Sequence, residues 1–334
     1  AVGRDALVSN TTGVLNVAVG AYAGDSITTG AENTLIGSRA GDPLTDSSYN
    51  VALGGYALTS DTRGNRSVAV GHNALYSQNF TSVTATYNVA VGMSAGLSVT
   101  TGTLNTLIGG LAGDAITTGQ ANTALGYRSL SSTTTASSNT AIGVDALTSN
   151  TTGTSNTAVG RDTLNQQTTA SYNTALGHQA LNLNTSGVSN TASGFKALFA
   201  NTTGHSNVAF GANSLQPNTT GSQNTGLGKG ALASNSTAHN NTAVGFESLV
   251  SNTTGTQNTA VGSFSLDANT TGDYNTAMGY AALGAATTAT SNTAVGKGAL
   301  TTNVVGHRNT ALGFEAAELS TASDNVAIGY KALD

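Results

Sequence analysis

The sequence predicts an all-β fold, a parallel β-solenoid built from one short repeat. The phrase Asn-Thr-Ala-(Val/Leu/Ile)-Gly recurs from one end of the 334 residues to the other. A fixed short period indicates stacked coils that bury one another's faces. The period of 17 residues is too short for a pair of helices, which needs more than about 30. Gly, Asn, Thr and Ser punctuate every coil, and all four are poor residues for a helix interior.

The spacing of the motif glycines defines the array. Of the 19 intervals between them, 17 are 17 residues long, one is 21 and one is 16. Length alone, at about 150 residues per domain, favours two domains. Because the array leaves no segment outside it, we predict instead one continuous solenoid over residues 1–334 with about 19–20 coils, truncated within the repeat at both ends. The motif glycines are Gly3, Gly20, Gly37, Gly54, Gly71, Gly92, Gly109, Gly126, Gly143, Gly160, Gly177, Gly194, Gly211, Gly228, Gly245, Gly262, Gly279, Gly296, Gly313 and Gly329.

Positions in a coil are counted here from the motif glycine as zero. Each coil is expected to hold two short strands and two turns, with one strand at Asn-Thr-Ala-Val, as in residues 156–159. Alternation along this strand places Asn and Ala on one face and Thr and Val on the other. Apolar residues therefore occur on both faces, and the sequence leaves open which face fills the lumen.

A compensating exchange predicts one apolar slot per coil. Position +4 is Leu in 15 of 20 copies and Gly in four, and each of these four coils has an apolar residue three positions later. Such an exchange is typical of a packing constraint rather than of chemistry. The four pairs are Gly24 with Ile27, Gly41 with Leu44, Gly96 with Val99 and Gly113 with Ile116.

The two recurring glycines predict different turns. The motif glycine is expected to have a positive φ or to lie against a neighbouring backbone. A second glycine at position −7 occurs in 12 of 19 coils, and alanine replaces it in six. Because alanine is accepted so readily there, the second turn is expected to exist in two forms.

Polar residues that recur once per coil predict ladders along the stack. Asn occupies position −4 in 18 of 19 coils, with Ser67 the exception, and its side-chain amides are expected to bond from coil to coil. Thr occupies position −8 in 15 of 19 coils and is predicted to form a second ladder. Ladder residues chosen to represent the asparagine row are Asn156, Asn173, Asn190, Asn207, Asn224 and Asn241.

The coil phrase Asn-Thr-Ala-Val-Gly-x-x-Ala-Leu-x-x-Asn-Thr-Thr-Gly resembles repeat segments of phage tail fibres and bacterial surface fibres, which often precede an endosialidase-type chaperone domain. It is also similar to the β-roll heads of trimeric autotransporter adhesins. The resemblance covers the whole chain and implies a left-handed parallel β-roll of three chains around one axis. This chain has a longer coil than the adhesin heads and lacks their stalk, membrane anchor and chaperone domain.

The residues themselves also favour association. Neither end shows the polar cap that an isolated solenoid needs against edge-to-edge pairing, so we expect flanking domains beyond this chain. The second apolar face of the motif strand is either exposed or buried against another chain. A narrow alanine row would let two backbones approach closely, which favours a homotrimer.

Composition excludes several functions. There is no Cys, which excludes a disulfide scaffold and a thiolate metal site. A net charge of −5 with 11 Lys and Arg argues against nucleic-acid binding. No stretch approaches the roughly 20 apolar residues of a membrane span, and no P-loop or Gly-x-Ser-x-Gly elbow is present. We therefore expect no cofactor, no catalytic residue and no membrane insertion by this segment.

The titratable residues are interpreted as structural. No two histidines occupy the same position in neighbouring coils, so a metal site within one chain is not expected; they are His72, His178, His205, His239 and His307. Asp25 and Asp42 stack one coil apart, as do Asp145 and Asp162. Paired carboxylates can act as acid and base or bind Ca²⁺. The nearby Arg39 and Arg161 favour solvated turn carboxylates instead.

Aromatic residues and one insertion are the candidate contact sites. The 21-residue interval adds four residues within residues 76–86, and a loop on one coil is a ready place for a contact. Aromatic residues also cluster just after the motif glycine, where they would bind sugars, shield a turn or seal a seam between chains. The candidate surface residues are Tyr76, Phe80, Tyr127, Phe195, Phe246, Tyr280 and Phe314. Asn-x-Ser/Thr sequons such as Asn150, Asn201 and Asn252 follow from the turn phrase and are weak evidence for glycosylation.

The function predicted from these features is structural and non-enzymatic. We expect an extracellular fibre shaft or head, from a virion or a bacterial cell surface, that acts as a rigid spacer and presents a binding tip. The alternative is an adhesin head that itself binds a host-cell glycan or matrix through exposed turns. An ice-binding solenoid is a further alternative, although the adjacent Thr pairs would point apart. Absence of thermal hysteresis would exclude it.

Overall fold

Residues 1–333, which the computed structural model describes, form the predicted parallel β-solenoid with a 17-residue repeat and about 18 turns. This part of the chain contains strands and turns and no helix. Two compact units, residues 1–171 and residues 172–333, are described separately below. The prediction of a single uninterrupted array remains a prediction.

Within each unit, strands of successive coils pair in parallel and in register, as Thr140–Ile142 pairs with Thr157–Val159. A pair of two-residue strands, β4 and β6, makes a separate small sheet in the first unit. The strands of the first unit are β1 (Val17–Val19), β2 (Thr34–Ile36), β3 (Val51–Leu53), β4 (Gly64–Asn65), β5 (Val68–Val70), β6 (Thr84–Ala85), β7 (Val89–Val91), β8 (Thr106–Ile108), β9 (Thr123–Leu125), β10 (Thr140–Ile142) and β11 (Thr157–Val159). Those of the second unit are β12 (Thr174–Leu176), β13 (Thr191–Ser193), β14 (Val208–Phe210), β15 (Thr225–Leu227), β16 (Thr242–Val244), β17 (Thr259–Val261), β18 (Thr276–Met278), β19 (Thr293–Val295), β20 (Thr310–Leu312) and β21 (Val326–Ile328).

The prediction of two strands per coil is wrong for most coils. Each regular coil has one three-residue strand, and the remaining residues form turns. Residues in the left-handed region of φ recur at positions −5, +2 and +4, and they interrupt any second strand. Parallel bonding between coils nevertheless continues through the turns. The Leu147 N–H, for example, donates to Thr163 O at 3.0 Å.

The lumen takes the Asn-Ala face of each strand. The alanine at −2 is buried in every regular strand that carries it, whereas Thr or Val at −3 and the apolar residue at −1 lie on the outer side. A second small residue at +3, such as Ala146, and the leucine at +4 complete the apolar part of the lumen. Because the alanines are inside, the suggestion that an alanine row forms a seam between chains is wrong.

The predicted apolar slot is confirmed, and it involves one residue more than expected. Ile27, Leu44, Val99 and Ile116 are all buried. In addition, Leu35 at −2 fills the space left by two glycines: an ideal Cβ on Gly24 would lie 2.6 Å from Leu35 Cδ1, and one on Gly41 would lie 2.8 Å from Leu35 Cδ2. Leu107 fills the space left by Gly96 and Gly113 in the same way. The two leucines at −2 therefore compensate for the missing +4 side chains together with the apolar residues at +7.

Backbone conformation explains why the slot residue at +4 is leucine. Leu147 has φ of 51°, and the other +4 leucines of residues 1–333 are also left-handed. A β-branched side chain is strongly disfavoured there, and Val, Ile and Thr are absent from positions −5, +2 and +4. The apolar residue at +7, by contrast, is not left-handed, and Ile and Val are accepted there.

We therefore expect Leu147→Ile to be more costly than its conserved volume suggests. A volume-conserving exchange in a core usually costs under about 1.5 kcal/mol, and left-handed strain adds about 1–3 kcal/mol. The matched control is Ile116→Leu, which alters a buried side chain at +7 in the same unit. Equal free energies of unfolding for the two variants, measured by chemical denaturation, would contradict this explanation.

The motif glycine combines both features that the sequence predicted. Gly109 has φ of +133°, and an ideal Cβ would lie 2.6 Å from Gly126 O. The second glycine, at −7, has no positive φ, yet a Cβ on Gly153 would lie 2.0 Å from Ala170 O. Where Ala170 itself occupies position −7, the backbone must differ from that at Gly153, which supports two forms of this turn.

Candidate functional site

The asparagines at −4 form a buried hydrogen-bonded ladder inside each unit. The Asn207 backbone N–H and Nδ2 both donate to Asn190 Oδ1, at 3.0 and 3.2 Å. Asn207 Nδ2 also donates to Gly221 O at 2.8 Å. In the first unit, Asn156 bonds Asn139 in the same way. The second-unit residues chosen from the sequence belong to this ladder: Asn173, Asn190, Asn207, Asn224 and Asn241.

A second buried asparagine ladder, which the sequence analysis missed, lies at position +7 of the second unit. Asn201 Nδ2 donates to Asn184 Oδ1 at 2.8 Å and to Gly204 O at 2.9 Å. The ladder ends at Asn269, whose Oδ1 is buried without a hydrogen-bond partner because the next coil has Ala286. The sequence feature that marks this ladder is the Asn of the Asn-Thr-Thr-Gly phrase, which recurs at position +7. The members are Asn184, Asn201, Asn218, Asn235, Asn252 and Asn269.

This burial bears directly on the sequons. Asn150, Asn201 and Asn252 are fully buried, and each Nδ2 donates to the backbone oxygen of the following −7 glycine. A glycan on that nitrogen would remove these bonds and would not fit the lumen. N-glycosylation at these three positions is therefore incompatible with the folded coil.

The predicted threonine ladder is displaced by one residue. Thr at −9 makes the bonds: Thr151 Oγ1 donates to Thr168 O at 3.0 Å, and Thr202 Oγ1 donates to Thr219 O at 3.1 Å. Thr152 at −8 projects into solvent, so the prediction of a −8 ladder is wrong. Because neighbouring side chains of this turn point to opposite sides, the hydroxyls of each adjacent pair do not share one face.

Three of the histidines, all at position −6, take part in a further set of hydrogen bonds between coils. The Ser222 N–H donates to His239 Nδ1 at 2.9 Å, and the Thr290 N–H donates to His307 Nδ1 at 3.0 Å. The His205 N–H donates in turn to Ser222 Oγ at 3.1 Å. Each acceptor side chain caps a backbone N–H of the preceding coil. The two Nδ1 acceptors place the proton of the neutral ring on Nε2.

A buried polar network joins the 21-residue coil, Gly71 to Gly92, to the coil before it, at the point where the asparagine ladder is broken. Asp61 Oδ2 accepts from Gln78 Nε2 at 2.6 Å, and Asp61 Oδ1 accepts from the Gly64 N–H at 2.9 Å. Gln78 Nε2 also donates to Ser67 Oγ, while Asn88 Nδ2 donates to Gln78 Oε1. Ser67, which replaces asparagine in the ladder, therefore has hydrogen-bond partners that the other coils lack. Burial raises the pKa of the Asp61 carboxyl, although these hydrogen bonds oppose the shift.

The four inserted residues lie within residues 76–86, as predicted, but they do not present Phe80. Pairing of Gly64 with Thr84, an offset of 20, places three of them within residues 80–83, and pairing of Val68 with Val89, an offset of 21, places the fourth after Ala85. The Phe80 ring is only 7% exposed, because backbone bonds hold the residue against the preceding coil: its N–H donates to Asp61, and its carbonyl accepts from Thr62 Oγ1. Phe80 is therefore not a surface contact residue.

The other candidate aromatic residues are exposed, and several of them lie against another ring. In the second unit, Phe264 lies edge-on between Phe246 and Tyr280, with ring centroids 5.3 and 6.0 Å away. Lys229 lies 5.6 Å above the Phe246 ring. These residues form a row of rings on the outer turn. The exposed candidates are Tyr76, Tyr127, Phe195, Phe246, Tyr280 and Phe314.

The outer face of the sheet carries no charged residue in either unit. Across β1–β21, excluding the short β4 and β6, positions −3 and −1 hold only Val, Thr, Ile, Leu, Phe, Met and one Ser. We call position −1 of these strands the outer row. In the first unit the outer row is Val19, Ile36, Leu53, Val70, Val91, Ile108, Leu125, Ile142 and Val159. None of these side chains is buried, and such a contiguous apolar surface is typical of an interface.

The stacked carboxylates form ion pairs with neighbouring arginines. Arg39 Nη1 lies 3.2 Å from Asp42 Oδ2, and Arg161 Nε lies 3.3 Å from Asp162 Oδ2. Burial, followed by the neighbouring Asp25 carboxylate, raises the pKa of Asp42 to about 6, against the opposing effect of Arg39. The Asp25–Asp42 pair is therefore a source of pH dependence.

We expect this pair to destabilise the first unit as pH rises. Between the unfolded pKa of 3.8 and the folded pKa of about 6, the native state binds more protons than the unfolded state. The free energy of unfolding therefore falls with increasing pH across this window. Asp42→Asn should flatten that part of the curve. The measurement is the thermal midpoint of both proteins from pH 3.5 to 7; identical slopes would contradict the assignment.

Neither metal ligation nor membrane insertion is indicated by the described residues. Within residues 1–333, no three His, Asp or Glu side chains are grouped as a metal site. In the same part of the chain, no helix long and apolar enough to cross a bilayer is present. The chain matches no protein-family model and no curated protein. Its fold and surfaces define it as a β-solenoid repeat protein.

Proposed function

We propose that this chain is a structural, non-enzymatic segment of an extracellular fibre, either a phage tail fibre or a bacterial surface adhesin. It would act as a stiff spacer that presents a binding tip to a host-cell surface. The observation that carries the proposal is the uncharged outer face of the sheet, combined with ladders that bond successive coils within each unit. Buried amide ladders of this kind resist local opening because each bond removed leaves a polar group unpaired.

The proposed assembly is a homotrimer of left-handed coils, as the resemblance to fibre and adhesin repeats implies. The outer row has one residue per coil, apolar in every coil except that of Ser193, so its period is the rise of the solenoid, about 4.7–4.8 Å. A partner must have the same period to cover the row along its length. A second copy of the same solenoid, parallel and side by side, has that period by construction. We therefore place the seam at the outer row and not at the alanines.

Light scattering coupled to size exclusion tests this assembly. Three copies of a 32.9 kDa chain give about 99 kDa. Ile142→Lys, in the outer row, is expected to reduce the mass to that of a monomer, because it buries an unpaired charge in the seam. Thr152→Lys, at an exposed turn position of the next coil, is the control and should leave the mass unchanged. A monomeric parent chain would overturn the trimer.

The row of touching aromatic rings favours a second candidate function, an adhesin head that binds a host glycan through its outer turns. Exposed rings in mutual contact offer apolar faces with polar edges, which suit carbohydrate recognition. Phe246→Ala and Tyr280→Ala should then weaken binding of the protein to host cells. A spacer without this activity would lose no cell binding in either variant.

A further inference from the structure

A small pocket opens on the turn side of the first unit, across the coils that begin at Gly54 and Gly71. Its volume is about 310 Å³, and it is lined by Tyr56, His72, Asn73 and Tyr76. Tyr56 and His72 meet edge to face, with ring centroids 5.9 Å apart and planes inclined at 74°. The two rings therefore form two walls of the pocket at nearly a right angle.

The pocket is neutral although charged turns lie nearby. Its lining has two phenols, an imidazole and a primary amide, and no carboxylate, ammonium or guanidinium group. Equivalent turns of other coils carry ion pairs, such as Arg39 with Asp42 and Arg128 with Asp145. Because burial of a charge without a partner is costly, a neutral lining selects a neutral ligand.

The backbone around the pocket is held from both sides. The Tyr56 N–H donates to Ser38 O at 2.9 Å, and the Asn73 N–H donates to Gly55 O at 3.1 Å. The carbonyl of His72 accepts from the Ser94 N–H at 2.9 Å. The side chains thus project from a hydrogen-bonded turn that need not be ordered when a ligand binds. A preorganised site of this kind avoids part of the entropic cost of binding.

We propose that this pocket binds one neutral pyranose unit of a glycan. The faces of a pyranose carry C–H groups, which pack against the electron-rich faces of aromatic rings, and its edge carries hydroxyls. The Asn73 amide and the two phenols supply donors and acceptors for those hydroxyls. A pocket near the lower end of the usual 300–1,000 Å³ range suits a ligand of that size.

The proposal rests on the second candidate function and does not depend on the spacer role. A single shallow pocket is expected to bind weakly, with affinity gained through several copies in one fibre. The aromatic row of the second unit and the pocket share no residue. Tyr127, an exposed ring of the first unit that belongs to neither, serves as the control. Binding through any exposed ring predicts equal losses for all of these residues, whereas the pocket predicts losses only for its own residues.

Saturation-transfer NMR on the full chain tests the pocket. The probes are glucose, galactose, mannose and N-acetylglucosamine, with glucuronate and adenosine as charged and aromatic comparisons. We expect transfer to at least one neutral sugar, a loss of at least tenfold in Tyr76→Ala and in Asn73→Asp, and no change in Tyr127→Ala. Circular dichroism and solution mass should match the parent chain in every variant, which separates loss of binding from loss of fold or assembly.

Three results would overturn the assignment. The first is the absence of transfer to all four neutral sugars. The second is transfer that survives Tyr76→Ala or is reduced equally by Tyr127→Ala. The third is transfer to adenosine alone, which would indicate a site for flat aromatic ligands. The oligomeric mass of the same samples reports separately on the trimer, so failure of the pocket and failure of the fibre assembly are distinguishable.

Discussion

Gly109→Ala is expected to destabilise the first unit by about 2–6 kcal/mol. The new alanine would have to adopt φ of +133°, and its Cβ would lie 2.6 Å from Gly126 O and 2.7 Å from Gly126 C. Backbone strain of this kind costs about 1–3 kcal/mol, and forcing an extra carbon into a packed site costs a similar amount. Because the obstructing atoms are backbone of the next coil, rotation of a side chain cannot relieve the contact.

The neighbouring residue provides the matched control. Gly110 has no positive φ, and a Cβ there would meet nothing closer than Tyr127 Cδ2 at 3.6 Å. Gly110→Ala should therefore change the free energy of unfolding by less than about 0.5 kcal/mol. Urea denaturation followed by circular dichroism measures both variants. Similar midpoints for the two alanines would show that the motif glycine is retained for some reason other than its backbone.

Asn241→Ser is expected to cost the second unit about 2–5 kcal/mol. Asn241 Oδ1 accepts from the Asn258 N–H at 3.0 Å, and Asn241 Nδ2 donates to Gly255 O at 2.8 Å. The shorter serine leaves the Asn258 N–H buried and unpaired, at about 1–3 kcal/mol, and it also loses the bond to Gly255 O, at about 0.5–1.5 kcal/mol, although Asn252 Nδ2 still donates to that oxygen. The exchange leaves a void as well. Coils depend on their neighbours, so the loss should spread along the stack.

The natural serine in this row makes the comparison informative. Ser67 is bonded by Gln78 Nε2 at 2.8 Å and lies 2.6 Å from Thr86 Oγ1, so its coil has replaced the missing amide. Residue 241 has no such replacement. The control is Asn240→Ser, at an exposed left-handed position where serine occurs in other coils. Hydrogen exchange of the Asn258 amide should accelerate only in Asn241→Ser; equal protection in both variants would contradict the ladder's role.

The residues of the lumen show which contacts could be predicted from the sequence and which could not. Exchange of Leu at +4 for Gly, with Ile or Val at +7, predicted a shared slot, and the buried side chains confirm it. The same reasoning did not connect Leu35 with Gly24 and Gly41, because the contact joins different coils and positions. The Asn-Thr-Thr-Gly phrase was similarly interpreted only as a turn, although its Asn is a buried ladder residue.

The sequence by itself determined the solenoid, the register of its coils and the rows of residues that stack, because a fixed period places equivalent residues one above the other. Only the tertiary structure decided which rows are inside. Alternation shows that Asn and Ala share one face, but it does not show which face the turns enclose. The turns rest on left-handed residues such as Asp145 and Leu147, and the turns decide that Thr151 rather than Thr152 faces the stack. They also bring His72 beside Tyr56, a contact between neighbouring coils that no spacing within one coil predicts.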